Sequence, residues 1–428
     1  MLVQDQNYVG NSVQNPSFGW TSLSHVPDDV ELRPVELSAE DRAPSRGLLY
    51  LPKGRKPKVG IHMMHPRADQ STNYNIIPLV RAGCAALGRS SRWPNNDSAT
   101  THEHLLLDMA AGIRRLKEAG CEKIVLVGNS GGGTLAAFYQ EQASAAPGQR
   151  LRATPAGDPL DLNDFDLPVA DGLAIIGGHI GQGGVMRKLI DAAVVDEGDP
   201  LATDARLDMY DARNGFVLPP ASSHYGADFL ARYDAAQAER VSRIDARALS
   251  LIERSHEAAA LARKLGDGAS LAQKRAAQIE QVMVIYRTTA CPAFVDTGIE
   301  ADGRNVMSYF TGKPHEENYR ASGFARYITP RAWLSTWSVN YSKACTVRNL
   351  KNQTAPLLIV HYAGDCGTRL SEVEEMYAMA AASDKTLKIV EGIDHYGLKI
   401  MPDGQPGPRM WEGTAMVVDW VRDRFGID

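Results

Sequence analysis

Two parts of the chain alternate short apolar runs with longer amphipathic segments. The apolar runs lie at about 30–37, 47–51, 58–64, 84–88, 124–127, 171–176, 355–362 and 386–391, and the amphipathic segments at about 73–82, 101–119, 370–382 and 414–425. Short apolar runs bounded by turn residues are typical of strands that are covered on both faces, and apolar positions at a 3.6-residue period are typical of helices. Their alternation predicts a doubly wound, mostly parallel α/β sheet, which the first two runs enter as an antiparallel hairpin.

This alternation stops between residues 182 and 354. Long helical patterns at 222–265 and 269–287 dominate the segment, which predicts a mainly helical subdomain inserted between two strands of the sheet. The predicted organisation is an N-terminal arm at 1–28, a core at 29–181 and 355–428, and a helical cap at 182–354. Four cap aromatics, Tyr309, Phe310, Trp333 and Trp337, are candidate walls of a substrate pocket, although such residues also serve as core.

Composition indicates which binding partners and which cellular compartment to expect. The chain has 428 residues, 44% of them apolar, and a net charge of −5 without any block of like charge. That balance gives no electrostatic basis for binding nucleic acid or an acidic membrane surface. Five scattered cysteines without a C-x-x-C pair indicate free thiols in a reducing compartment. With no signal-peptide pattern and no apolar run of membrane-spanning length, the sequence predicts a cytoplasmic protein.

The most informative stretch is the apolar run 124–127 and the residues after it. Ser130 follows this predicted strand, is bracketed by Gly128 and Gly132, and precedes an alanine-rich helical segment. A serine on so sharp a strand-to-helix turn needs glycines beside it, because the backbone passes close to itself there. A phosphate-binding loop is the alternative suggested by the spacing of Gly128 and Gly133, but Thr134 stands where that loop needs lysine.

These residues resemble the nucleophile elbow of the α/β-hydrolase family. The resemblance covers about 55–182 and 354–428. It implies that Ser130 is a nucleophile for acyl transfer, served by a base, an acid and two oxyanion donors. The alternative is that this stretch forms a tight strand-to-helix turn with no catalytic role.

Two residues stand where the base and the acid belong. Asp365 follows one predicted strand and His395 the next, so both side chains and Ser130 are expected at the same edge of a parallel sheet. The chain order Ser, Asp, His is the one that the family requires. Asp394 and His361 compete for these roles, but Asp394 would have to point back along the chain and His361 lies inside a strand. The family's usual glycine three residues before the acid is Tyr362 here.

The helix after Ser130 directs its first amide, the N–H of Gly131, towards the place where an oxyanion forms. In the family the second donor comes from the loop after the 58–64 strand, and this loop carries His65 and Pro66 where relatives often carry His-Gly. Proline has no N–H, so Arg67 is the predicted second donor. His65 is assigned to the pocket, as a structural hydrogen-bonder in preference to a second base.

The resemblance implies a serine hydrolase that cleaves a carboxylic ester or a related acyl bond through an acyl-enzyme. A carbon–carbon bond hydrolase or an acyltransferase could use the same triad, and an inactive hydrolase fold could serve as a binding protein. The expected partner is a small acyl substrate, without metal or organic cofactor. The cap could also form a homo-oligomer interface.

Overall fold

In the computed structural model, the described residues are 23, 26–94, 96, 98–300, 303–306, 317–321, 323–396, 398–400, 406–408 and 410–427. The strands are β1 (Val30–Ser38), β2 (Pro44–Pro52), β3 (Val59–Met63), β4 (Ala85–Arg89), β5 (Lys123–Asn129), β6 (Gly172–Ile176), β7 (Met283–Val284), β8 (Tyr327–Ile328), β9 (Leu357–Tyr362), β10 (Lys385–Val390), β11 (Leu398–Ile400) and β12 (Pro406–Pro408). The helices are α1 (Ile76–Arg81), α2 (His102–Glu118), α3 (Gly131–Ser144), α4 (Gln182–Leu189), α5 (Ala227–Leu265), α6 (Leu271–Ala276), α7 (Thr346–Leu350), α8 (Leu370–Met379) and α9 (Met410–Phe425).

Within this part of the chain, eight strands form one sheet in the order β1-β2-β4-β3-β5-β6-β9-β10. β2 pairs antiparallel with both β1 and β4, and the pairs from β4 to β10 are parallel. The carboxyl ends of the parallel strands therefore lie along one edge, where ligands bind in such sheets.

Helices cover both faces of the sheet, as its central strand requires. In β5, Ile124 and Leu126 pack in the apolar cluster that contains side chains of α2, α3, α7 and α8. Val125 and Val127 point the other way, into the cluster with α1 and α9. Successive strand residues face opposite sides, so a strand between two helical layers must be apolar throughout. The predicted doubly wound α/β fold with a helical insertion is confirmed.

The inserted segment is built on the long helix α5. Its buried stripe includes Tyr233, Val241, Ile244, Ala248 and Ile252, spaced so that they share one face. Between Ile252 and the helix end at Leu265 none of its side chains is buried. The part of α5 up to Ile252 thus packs within the cap, and the part after it has only exposed or partly exposed residues.

The prediction of a helix over 269–287 is wrong. Helix α6 ends at Ala276, and β7 follows, pairing antiparallel with β8. Met283 and Ile285 are buried, whereas Val282 is 55% exposed and Val284 is partly exposed, so the burial follows a strand's alternation. A partner strand more than 40 residues away supplies the backbone hydrogen bonds, which local periodicity does not reveal.

The end of the predicted cap also differs. Helix α7 lies inside the predicted range 182–354, yet Leu350 packs in the apolar cluster of the sheet's helical layer. The last residues of that range therefore belong to the core. The predicted arm at 1–28 lies almost entirely outside the described residues. Among the helices described, none has the length and apolarity needed to cross a membrane.

Candidate active site

The turn after β5 holds Ser130 in a conformation that side chains rarely adopt. Its backbone angles are φ 53° and ψ −125°, a region that favours glycine. A Cβ atom on Gly128 would stand 2.5 Å from the carbonyl oxygen of Gly132, and one on Gly132 would stand 2.6 Å from that of Met64. Both contacts are too short for any side chain. The glycines beside Ser130 are therefore required by the close approach of backbone to backbone.

A continuous chain of hydrogen bonds joins Ser130 to a carboxylate. The distance from Ser130 Oγ to His395 Nε2 is 3.1 Å, and that from His395 Nδ1 to Asp365 Oδ2 is 2.6 Å. Asp365 Oδ1 accepts hydrogen bonds from the backbone N–H groups of Gly367 and Thr368, at 2.8 and 3.1 Å. Asp365 follows β9 and His395 follows β10, so both reach the sheet edge where Ser130 stands.

A mostly parallel sheet, a strained serine between strand and helix, and an acid and a histidine after later strands decide the fold type. The chain has the α/β-hydrolase fold. No protein-family model matches the sequence, and no curated protein is significantly similar to it.

Several solved structures resemble this hydrolase fold at low sequence identity. The structure of DcsB with its substrate analogue is 14% identical, with a TM-score of 0.49 and coverage of 92% of this chain and 100% of that one. The esterase domain of a Rhodothermus marinus protein is 12% identical, with a TM-score of 0.41 and coverage of 92% and 98%. Brefeldin A esterase, a bacterial homologue of human hormone sensitive lipase, is 12% identical, with a TM-score of 0.43 and coverage of 95% and 81%. Similarities of this size say nothing about the substrate.

The environment of His395 suits a group that accepts and holds a proton. Burial lowers the pKa of His395, but the negative charges of Asp365 and Asp394 and the hydrogen bond to Asp365 outweigh it and raise the pKa above its usual value. A carboxylate on Nδ1 places the free lone pair of the neutral ring on Nε2, facing Ser130 Oγ. The ring is thus oriented to take the serine proton.

Asp394 and His361, the alternative acid and base, have different surroundings in the structure. Asp394 Oδ1 accepts a hydrogen bond from the Tyr396 N–H at 2.9 Å, while His395 Nδ1 is bonded to Asp365. His361 is a buried member of β9 with 1% exposure. The carboxylate that is hydrogen-bonded to the His395 ring is that of Asp365.

The structure gives different surroundings to the two amides that were predicted as oxyanion donors. Gly131 is the first residue of α3, and its N–H belongs to the free amino end of that helix, beside Ser130. The Arg67 N–H, by contrast, donates to His65 Nδ1 at 3.0 Å. An amide that already donates a hydrogen bond has no second hydrogen for an oxyanion. The structure therefore contradicts Arg67 as the second donor, because the His65 ring folds back over its own loop.

Two imidazoles converge on Gly131. A Cβ atom at this position would stand 2.8 Å from His65 Nε2 and 3.4 Å from His179 Nε2. His179 is a site residue that the sequence reasoning missed, since the glycines around it suggested only a turn. It follows β6 at the same sheet edge, so the rule that located Asp365 and His395 would have found it as well.

Cap aromatics reach the loop after β3. The Arg67 guanidinium lies 4.9 Å from the centroid of the Phe324 ring, which lies 5.5 Å from the Trp337 ring. Trp333 is fully buried and donates from Nε1 to Asp245 on α5, at 2.7 Å, so it belongs to the cap's own core. The predicted wall residues Tyr309 and Phe310 lie outside the described residues.

The cap also meets the core at the start of α2. Ser335, in a short π-helix over Trp333–Trp337, accepts a hydrogen bond from the His102 N–H at 2.8 Å and donates to Glu103 Oε2 at 2.6 Å. Glu103 is 1% exposed, and its other carboxyl oxygen has no hydrogen-bond partner among the residues that the structure describes. Burial raises the pKa of the Glu103 carboxyl to about 7. A buried titratable group therefore lies between cap and core.

We expect Glu103→Gln to stabilise the protein at pH 8 but not at pH 5. The folded-state pKa of Glu103 lies above the unfolded value, so its stabilising contribution is complete below the unfolded pKa and is lost as pH rises through about 7. Glutamine keeps an acceptor for Ser335 and avoids the buried charge, which costs on the order of 3 kcal/mol at pH 8. Thermal unfolding at both pH values measures the difference. Glu118→Gln, at the exposed end of the same helix, is the control, and an equal effect of Glu103→Gln at both pH values would contradict the prediction.

Proposed function

We propose that this chain is a serine hydrolase that cleaves a carboxylic ester or a related acyl bond. Ser130 is the nucleophile, His395 the general base, and Asp365 the carboxylate that orients His395. The observation that carries the proposal is the continuous hydrogen-bonded chain from Asp365 through His395 to the strained Ser130. Nucleophile, base and orienting group within hydrogen-bond reach are what acyl transfer needs.

The reaction proceeds in two halves. Ser130 Oγ attacks the acyl carbon as its proton moves to His395 Nε2, and the carbonyl oxygen becomes an oxyanion near the Gly131 N–H. His395 then gives this proton to the leaving oxygen, the carbon–oxygen bond breaks, and an acyl-enzyme remains. A water molecule, deprotonated by His395, attacks the acyl carbon. Ser130 leaves and recovers its proton from the imidazolium.

Contacts of the cap with the loops around this edge support a covering role. Phe324 lies against Arg67 in the loop after β3, and Ser335 bonds to the start of α2. On the opposite side, the Arg369 guanidinium contacts Cys291 Sγ of the cap at 3.7 Å. A cap held at three places around the nucleophile would exclude water from the acyl-enzyme and select substrates by shape.

A fluorophosphonate probe tests the proposal directly. Ser130 Oγ should displace fluoride from phosphorus and form a stable adduct, which peptide mass spectrometry would locate at Ser130. Ser130→Ala should not react and serves as the control. If the folded wild-type protein stays unlabelled, the chain is not a serine hydrolase. Ester panels of graded acyl length would then define the substrate class of a labelled protein.

A further inference from the structure

The hydrogen bonds of His65 determine which of its nitrogens carries the hydrogen. Nδ1 accepts from two backbone amides, the N–H groups of Arg67 at 3.0 Å and of Ala68 at 2.9 Å. A nitrogen that accepts two hydrogen bonds cannot carry a hydrogen of its own. Neutral imidazole has one N–H, so in His65 that hydrogen lies on Nε2.

The charge state of His65 is consistent with this assignment. Burial holds the pKa of His65 well below its usual range, and the positive charge of Arg67 lowers it further. A cationic ring would also turn an Nδ1 hydrogen towards two amide hydrogens. His65 therefore stays neutral at physiological pH and presents a fixed donor at Nε2.

This donor lies beside the first residue of α3. His65 Nε2 lies 2.8 Å from the Cβ that Gly131 lacks, and the Gly131 N–H is the predicted first donor. His65 as a whole residue is partly exposed, whereas His62 on β3 is buried. Glycine at 131 is thus what leaves room for an imidazole N–H next to the first amide of α3.

We propose that His65 Nε2–H is the second oxyanion donor of this hydrolase, in the role that the occupied Arg67 amide cannot fill. The inference rests on the proposed function. The N–H donates a hydrogen bond to the developing negative oxygen and keeps its hydrogen throughout, so no proton is transferred. Two backbone amides hold the ring in place before substrate arrives, and such preorganised donors stabilise the transition state most.

His179 is the nearest competitor for this role. Its Nδ1 accepts from the Gly181 N–H at 3.1 Å, so its hydrogen also lies on Nε2. It is farther from the missing Cβ of Gly131, at 3.4 Å, and only 7% exposed. Both comparisons favour His65 as the residue that touches the oxyanion.

Two substitutions separate the donor from the loop support. His65→Asn can place its side-chain oxygen near the Nδ1 position, which keeps the acceptor for the loop amides and removes the donor. His65→Gln can place an amide N–H near the Nε2 position and loses the acceptor. We expect His65→Asn to lower kcat by about 10²–10³-fold with KM little changed. His65→Gln should recover at least tenfold over His65→Asn.

Inhibition by a trifluoromethyl ketone adds a measurement that would not change if the role of His65 were only structural. Such an inhibitor becomes a tetrahedral oxyanion on Ser130, so its inhibition constant should rise in His65→Asn by the factor by which kcat/KM falls. His179→Asn, the matched change in the more distant ring, should lose less than tenfold.

Several outcomes would overturn the donor role. These are wild-type kcat in His65→Asn, equal losses in His65→Asn and His65→Gln, or a larger loss in His179→Asn. An unlabelled, inactive wild-type protein would instead reject the proposed function, and this inference with it. Labelling of the wild type by fluorophosphonate, measured first, distinguishes the two failures.

Discussion

Replacing Ser130 by alanine is expected to lower the hydrolysis of an activated acyl ester by about 10⁵–10⁶-fold while the chain stays folded. Alanine removes the Oγ atom that lies 3.1 Å from His395 Nε2 and keeps the backbone of the turn. Without the nucleophile, the rest of the site can stabilise only direct attack by water. Initial rates, with circular dichroism to verify folding, measure the effect. Turnover within tenfold of the wild type would eliminate Ser130 as the nucleophile.

Ser130→Gly is the matched partner of this substitution. It should be equally inactive, yet more stable than Ser130→Ala by about 1 kcal/mol, because glycine relieves the backbone strain at φ 53°. The larger conformational entropy that glycine loses on folding offsets part of this stabilisation. Denaturant unfolding of the two variants compares their stabilities. A glycine variant less stable than the alanine variant would show that the turn is not strained.

Asp365→Asn should lower kcat by about 10³–10⁴-fold. The Gly367 and Thr368 amides would retain the oxygen of the new side chain, which directs its NH₂ group towards His395 Nδ1. His395 would then have to accept at Nδ1 and carry its hydrogen on Nε2, where it faces Ser130 and cannot take the serine proton. Steady-state rates of the purified variant give the loss.

Asp394→Asn is the control for that result. Asp394 is adjacent to His395 in sequence, but its Oδ1 accepts from the Tyr396 N–H, a contact that asparagine can keep. We expect a loss of less than tenfold. If Asp394→Asn were the more damaging of the two changes, the acid would be Asp394 and the hydrogen bond at Asp365 would be structural.

A buried carboxyl group lies where the cap meets the core. Ser335 bonds to the buried Glu103, and Phe324 and Trp337 extend from the same region towards Arg67. When this carboxyl ionises in alkaline solution, a buried charge arises between cap and core, and the hydrogen bond from Ser335 offsets only part of its desolvation cost. Substrate selectivity and cap stability should therefore be measured at the same pH.

Local sequence patterns were sufficient to predict the strands of the α/β core and the positions of its site residues, because most of these patterns span only a few residues. The run 124–127 before Ser130 is apolar because two helical layers cover it, and Gly128 is required by a contact with Gly132, four residues away. Gly132 fits the same local motif, although the contact that requires it is with the remote Met64. Asp365 and His395 were located without any contact information, since the carboxyl ends of parallel strands share one edge. The same geometric rule applies to His179, but the glycines around it indicated only a turn, so its position near Gly131 was not predicted.

Tertiary structure alone decided the rest. The 269–287 segment has a helical pattern, but pairing with the remote β8 makes part of it a strand. The sequence predicted the Arg67 N–H as an oxyanion donor, but in the structure this N–H donates to His65 Nδ1. The same ring places its Nε2 next to Gly131. Of the cap aromatics, Trp333 turned inward to Asp245, while Phe324 meets Arg67. The pairing of β7 with β8, the position of His65 beside Gly131 and the aromatic contacts all join residues far apart in sequence, whose energies no local pattern contains. The hydrogen bond from Arg67 to His65 joins residues only two apart, but the pattern of residue types does not reveal it.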